Sequence, residues 1–220
     1  MANYPHSDRA SDGPGFISVT LGAVLGVALG VVLAAVYLAL KPVTQSTTPP
    51  EFAANSEVYF VPGAVNSAKA RQWSRKNQLL SEGGPADILF CEEELNAWAA
   101  SAIAKTPPGL ISLVTPESVN FRITGGVLQI GLLGNVHVFD LSLPLVIQMR
   151  GKFTPGSAGF VFAAEELYIG SLPLHSVPGL PQWVLLRVLA AQQVPEGLTA
   201  MWRKLKLVAV EDNALHIIVP

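Results

Sequence analysis

The chain of 220 residues contains one cysteine, Cys91, and few charged residues. One cysteine excludes an internal disulfide framework and any metal site built from several thiolates. Charged residues make up 14% of the chain and the formal net charge is -2, so the strongly basic composition typical of nucleic-acid binding is missing. We therefore expect no nucleic-acid partner.

The sequence also lacks the motifs of common catalytic sites. It has no G-x-S-x-G, no phosphate-binding loop and no dinucleotide fingerprint. None of the four histidines has another histidine or a cysteine at metal-ligand spacing. We therefore predict no metal, no cofactor and no enzymatic activity.

Three adjacent glutamates, Glu92 to Glu94, open a predicted helix directly after Cys91. Successive helical side chains point about 100° apart, so these carboxylates cannot converge on one ion. We interpret them as complements to the positive end of the helix dipole. Their charge would raise the pKa of the Cys91 thiol, which we interpret as a small buried residue.

The sequence does contain one long apolar run, Phe16 to Leu40, without a charged residue. As a helix, its 25 residues are long enough to cross a hydrocarbon core of about 30 Å. The run is longer than the apolar core of a signal peptide, about 7–15 residues, although a cleaved signal peptide remains the alternative. We predict an uncleaved single-pass anchor in the cell (inner) membrane. Because Arg9 and Lys41 flank the run, charge hardly selects its orientation, and an extracytoplasmic domain is the default expectation.

Small residues recur every four positions within this run, at Gly22, Gly26, Gly30 and Ala34. This spacing places them on one helix face, where another helix can approach closely. We predict that this face pairs with a twin or a partner helix. The alternative is that the glycines only reflect the small-residue content common in membrane helices.

The remaining sequence divides into a tail, a linker and a domain. Residues 1–15 are polar and predicted to be disordered. Residues 41–56, rich in Thr, Ser and Pro, read as a linker. Residues 57–220 are predicted to form one compact domain.

The periodicity of this domain changes from helical to alternating. Residues 92–104 have apolar side chains at the spacing of one buried helix face. From Val119 the period is two, with a hairpin turn predicted at Gly125 and Gly126 and a turn or bulge at Gly134 and Asn135. We predict an α+β fold, an antiparallel β-meander packed with short amphipathic helices and preceded by a single N-terminal transmembrane helix.

A basic helix is predicted at residues 64–80. Lys69, Arg71, Arg75 and Lys76 lie there with no acidic residue among them. We interpret them as a solvated face; contact with anionic lipid headgroups is the alternative.

An unusually apolar helix is predicted at residues 183–193, too short to span a membrane. If this helix packs directly against the apolar face of the sheet, the two form only a core, and the domain is a structural scaffold. If the two splay apart, they form a lipid-sized groove. That groove would be lined by Leu145, Ile147, Phe160, Phe162, Trp183 and Leu186.

An enzyme is the alternative from another functional class. It would be a membrane-tethered hydrolase in which the fold brings His137, His175 or Asp140 together with a nucleophile. Our preferred prediction is a non-enzymatic accessory protein whose domain binds a lipid or a protein partner.

Three segments resemble a known family. They are ADILFCEEELNAWAAS, the segment Gly170-Ser171-Leu172-Pro173-Leu174 and the closing VAVEDNALHIIV. They resemble the YpmS-like group of small bacterial membrane-anchored envelope proteins, over about residues 85–220. The resemblance implies an envelope role, with lipid handling as suspected for some relatives, and no catalytic residue. Cys91 departs from it, because a Ser or Thr helix cap is expected there.

Overall fold

The protein is described here by a computed structural model, covering residues 16–48, 58–103, 114–138, 141–157, 159–183 and 200–220. Its chain forms two compact units, Met1–Tyr37 and Leu38–Pro220. The predicted tail and the second half of the predicted linker, residues 49–56, lie outside the described residues.

The first unit contains most of helix α1, Phe16–Leu40. The predicted bounds of this apolar helix are confirmed. None of its residues is buried within the chain, so its apolar side chains are free to meet lipid. The helix is long and apolar enough to anchor the chain in a membrane.

The second unit combines helices with antiparallel sheets, which confirms the predicted α+β class. Its described helices are α2 (Ala70–Glu82), after a 3-10 turn at Ser67–Lys69, and α3 (Glu92–Ile103). Another 3-10 turn lies at Leu174–Ser176, and residues 180–183 and 200–202 are helical. Its strands are β1 (Thr44–Gln45), β2 (Tyr59–Phe60), β3 (Ala86–Cys91), β4 (Val114–Thr124), β5 (Val127–Val138), β6 (Leu141–Gly156), β7 (Gly159–Ile169), β8 (Leu172–Pro173), β9 (Leu207–Glu211) and β10 (Ala214–Val219).

The larger sheet is the predicted antiparallel meander, with strand order β4-β5-β6-β7-β8. Gly125 and Gly126 have φ of +61° and +73°, as the tight turn between β4 and β5 requires. No turn lies at Gly134 and Asn135; the irregularity is on the neighbouring strand, where the register of β4 shifts between Pro116 and Ser118, opposite Gly134. Strand β5 runs through both residues, because Gly134 pairs with β4 on one side and β6 on the other.

A second, smaller sheet has the order β3-β10-β9. Strands β9 and β10 form a hairpin, with Asp212 and Asn213 at positive φ in its turn. Its pairing with β3, more than a hundred residues earlier, was not expected.

Apolar residues from both sheets and both helices of this unit form one core. Each large aliphatic or aromatic side chain fully buried there contributes about 1.5 to 3 kcal/mol. The buried members are Leu80, Ile88, Phe90, Leu95, Ile123, Leu128, Phe162, Leu205, Val208, Ile217 and Val219. The smaller sheet therefore joins the helices in covering the apolar face of the larger one.

Candidate functional site

An extended segment, residues 59–64, crosses the polar face of the larger sheet; we call it the strap. Asn120 on β4 and Gln148 on β6 lie at the same level across the strands of that face, and Gln129 on β5 lies one level further along. Their amides hold alternate residues of the strap. The bonds join Gln148 Nε2 to Tyr59 O (3.2 Å), Gln129 Nε2 to Val61 O (3.3 Å) and Gly63 N to Asn120 Oδ1 (2.6 Å). The strap therefore occupies this face.

Phe60 fixes the strap by packing. Its side chain is fully buried, at 0% exposure, and lies over Gly131 on β5. A Cβ at position 131 would come within 2.2 Å of the Phe60 ring, so only glycine allows this approach.

Two side chains of α3 cap the open edge of β4. Asn96 accepts a hydrogen bond from Phe121 N at 2.6 Å and donates one to Phe121 O at 2.8 Å, while Glu92 accepts one from Ile123 N at 2.7 Å. The same two side chains also bond Ala64, the last residue of the strap. Its backbone N–H donates a hydrogen bond to Glu92, and its carbonyl accepts one from Asn96. Glu92 and Asn96 lie one turn apart, so their side chains project from the same face of α3. They make the hydrogen bonds that a neighbouring strand would otherwise make with the backbone N–H and C=O groups at the edge of β4.

A buried ion pair lies behind this edge. Glu94 is 1% exposed, and both of its carboxylate oxygens lie 2.7 Å from Lys76 Nζ. Glu94 also accepts a hydrogen bond from Cys91 N at 3.0 Å, and Lys76 donates one to Leu89 O at 2.5 Å. The interpretation of Lys76 as part of a solvated face is therefore wrong. Dipole complementarity alone does not account for Glu92 or Glu94, because both bind specific partners.

Burial raises the pKa of the Cys91 thiol, and a hydrogen bond to Glu93 raises it further. The predicted direction is confirmed, although burial contributes more than the neighbouring charge; Cys91 itself is half-buried and not buried as predicted. A thiol held protonated in this way is a poor nucleophile.

A histidine lies between two carboxylates on the smaller sheet. His216 on β10 contacts Asp87 on β3 through Nε2 at 2.7 Å, and Glu211 on β9 through Nδ1 at 3.3 Å. Hydrogen bonds to Asp87 and then to Glu211 raise the pKa of His216. The sequence did not reveal this cluster, because only strand pairing brings the three residues together.

The His216 cluster links the three strands electrostatically. With both ring nitrogens facing carboxylates, no ring nitrogen is left to move a substrate proton. Across the described residues, no group of three or more His, Cys, Asp or Glu could hold a metal ion.

The apolar face of the larger sheet continues beyond the core. One row across strands β4 to β7, which we call the distal strip, consists of Val119, Leu132, Ile147 and Ile169. All four are half-buried, and none belongs to the core cluster of described residues. The strip is therefore an apolar surface in addition to the core.

The described residues of the predicted groove do not share one surface. Ile147 lies on the distal strip, and Leu145 is buried two residues along the same strand. Trp183 is exposed, and Leu186 lies outside the described residues.

Phe160 and Phe162 belong to the packed core instead. Phe162 is a core residue and Phe160 packs against the cluster. The carbonyl of Phe160 accepts a hydrogen bond from Trp202 Nε1 at 2.7 Å, and the rings of Phe162 and Phe153 lie 5.4 Å apart. These contacts hold both residues as packing elements.

The residues predicted to pack against another helix are exposed on α1. On α1, a Cβ added at Gly22, Gly26 or Gly30 would meet nothing within 4 Å, and Ala34 is likewise exposed. Pairing through this open face stays a prediction.

Of the residues of the hydrolase alternative, His137 lies on the larger sheet, His175 lies in the 3-10 turn that follows it, and Asp140 lies outside the described residues. Nδ1 of His175 lies 3.3 Å from the Leu167 carbonyl, and its ring meets Tyr168 edge-on. His137 is exposed on β5, and Asp140 lies outside the described residues.

Comparison with known proteins adds no relative: no family model, no curated protein and no solved structure matches this chain.

Proposed function

We propose that this chain is a single-pass, non-enzymatic accessory protein of the cell envelope that binds the acyl chain of a lipid at the distal strip. In this proposal α1 is an uncleaved anchor in the inner membrane and the folded unit is extracytoplasmic. The distal strip is the observation that carries the proposal, because its apolar row continues past the core.

The dimensions of the strip suit an acyl chain. Four neighbouring strands spaced about 4.8 Å apart give an apolar row about 14 Å wide. Each methylene removed from water by contact with such a surface contributes about 0.8 kcal/mol. Ile147 would meet the ligand first on β6, because it is half-buried, whereas Leu145, two residues away on the same face, is buried.

The polar clusters support a non-enzymatic role. Glu94 is paired with Lys76, and His216 faces two carboxylates. Each group is engaged in holding one element to another. The hydrolase alternative has less support, because Nδ1 of His175 faces a backbone carbonyl.

The resemblance to membrane-anchored envelope proteins agrees with this proposal and stays a prediction. It suggests a lipid as the ligand, and the uncharged α1 would keep the domain close to a supply of lipid. A scaffold without a ligand is the second outcome that the following experiment distinguishes.

Native mass spectrometry of the full chain, purified in detergent after extraction from membranes, tests the proposal. We expect the wild type to retain an acyl lipid through repeated detergent washes. Ile147→Asp places a charge on the strip and Ile147→Trp fills it, so both variants should lose the lipid.

Val161→Asp is the matched control, because Val161 is also a partly exposed apolar residue of this sheet but points to its other face. It should retain the lipid. A wild type that holds no lipid supports the scaffold, and equal lipid retention by all four proteins overturns binding at the strip.

A further inference from the structure

The loop after β8, residues 174–183, carries an uncharged apolar surface. The sequence from Ile169 to Leu186 contains no Asp, Glu, Lys or Arg. Within the loop, Val177 is 53% exposed and Trp183 is 56% exposed. Exposed apolar side chains in an uncharged segment have the composition of a surface that meets an apolar medium.

The start of this loop is fixed to the residues that end the apolar run of α1. Ser171 N donates a hydrogen bond to Leu38 O at 2.9 Å. Gly170, at φ +57°, packs so closely on Ala39 that a Cβ there would lie 2.1 Å from the Ala39 carbonyl oxygen. Leu38 and Ala39 belong to the same compact unit as the loop. The uncharged segment therefore begins where the apolar run ends.

We propose that the loop of residues 174–183 inserts Val177 and Trp183 into the headgroup region of the bilayer that holds α1. The proposal rests on α1 being a membrane anchor. Tryptophan is enriched at this depth, because its ring is amphipathic. The loop has no charged side chain to desolvate, so shallow insertion requires no ion to leave water.

Site-directed fluorescence on the full chain tests this insertion. Cys91→Ser removes the single native thiol, and Val177→Cys then takes an NBD probe. The labelled chain is reconstituted into liposomes of phosphatidylcholine and phosphatidylglycerol, with or without a nitroxide on the headgroup or the upper acyl chain.

Val65→Cys in the same background is the matched control. Val65 is also an exposed valine, at 68%, and it follows the strap beyond β4, at the sheet edge opposite β8. We expect a blue-shifted emission and nitroxide quenching for the probe at 177. The probe at 65 should show neither change.

Each other outcome overturns the proposal. Equal quenching at both positions means that the loop has no special contact with lipid. A blue-shifted emission at 177 without quenching means that protein, and not lipid, covers the loop. If neither the emission nor the quenching changes at 177, the loop is exposed to water. This readout is independent of the distal strip. If the wild type copurifies with no lipid but the probe at 177 is still quenched, the proposed ligand of the strip is rejected and the insertion of the loop is supported.

Discussion

The ion pair between Lys76 and Glu94 gives the sharpest test of how α2, β3 and α3 are held together. Lys76→Met keeps the length of the side chain but removes the ammonium group. Glu94, at 1% exposure, then keeps its hydrogen bond from Cys91 N and loses its bonds to Lys76 Nζ. Breaking a buried pair by removing one partner costs about 3 to 5 kcal/mol.

We expect the lower end of this range, because the Lys76 side chain is 31% exposed and water can reach the vacated place. Lys76 also donates to Leu89 O, and the loss of that bond adds to the effect. A loss of about 3 kcal/mol lowers the ratio of folded to unfolded protein about a hundredfold.

Urea unfolding of the full chain in detergent micelles, followed by tryptophan fluorescence, measures this loss. Trp73 reports on the region, because its ring lies 4.8 Å from that of Phe90. Arg75→Met is the control: it removes a neighbouring positive charge of α2 and should change stability by less than about 0.5 kcal/mol. The double variant Lys76→Met with Glu94→Gln should be more stable than the sum of the single effects predicts.

If Lys76→Met costs no more than Arg75→Met, the pair does not hold these elements together. The reasoning from burial and distance is then refuted, even if both variants remain folded.

Three further predictions concern other parts of the chain. Gly131→Ala should destabilise the domain by about 1 to 3 kcal/mol through collision with Phe60, whereas Gly84→Ala, in open space, should not; equal urea midpoints would contradict this packing. The pKa of His216 is higher in the folded chain than in the unfolded chain, where it is about 6.5. The protonated imidazole therefore stabilises the folded state fully at a pH below about 6.5, and this stabilisation is lost as the pH rises through the folded-state pKa. His216→Gln should flatten this dependence in unfolding curves measured across that range, and an unchanged pH profile would reject the cluster as its source. Gly26→Ile should abolish self-association in a membrane two-hybrid assay, and an unchanged signal would make the glycine incidental.

Local patterns were sufficient for the elements whose causes are local. The uncharged run of α1 predicted its bounds, because length and apolarity alone decide whether a helix can span a membrane. Alternation around Gly125 and Gly126 predicted the β4–β5 hairpin, since a two-residue turn needs positive φ at both positions. The start of α3 was likewise predicted from its acidic first turn and apolar spacing.

The polar contacts depended on residues far apart in the chain. Glu92 and Asn96 were visible as polar residues of a helix, but their partners on β4 follow about 25 to 30 residues later. Gly134 was misread as a turn, because periodicity cannot show that a strand has neighbours on both sides.

The sequence alone determined that an apolar helix precedes an α+β domain with an antiparallel meander, because these features follow from hydrophobic periodicity and turn chemistry within short windows. Only the tertiary structure decided which apolar residues are core and which are surface. Phe162 is buried in the core to which the smaller sheet also contributes, whereas Ile147, with the same alternating pattern, lies on the distal strip. The difference arises because β3 and β10 pair across more than a hundred residues, and no local pattern encodes how far along the larger sheet that pairing reaches.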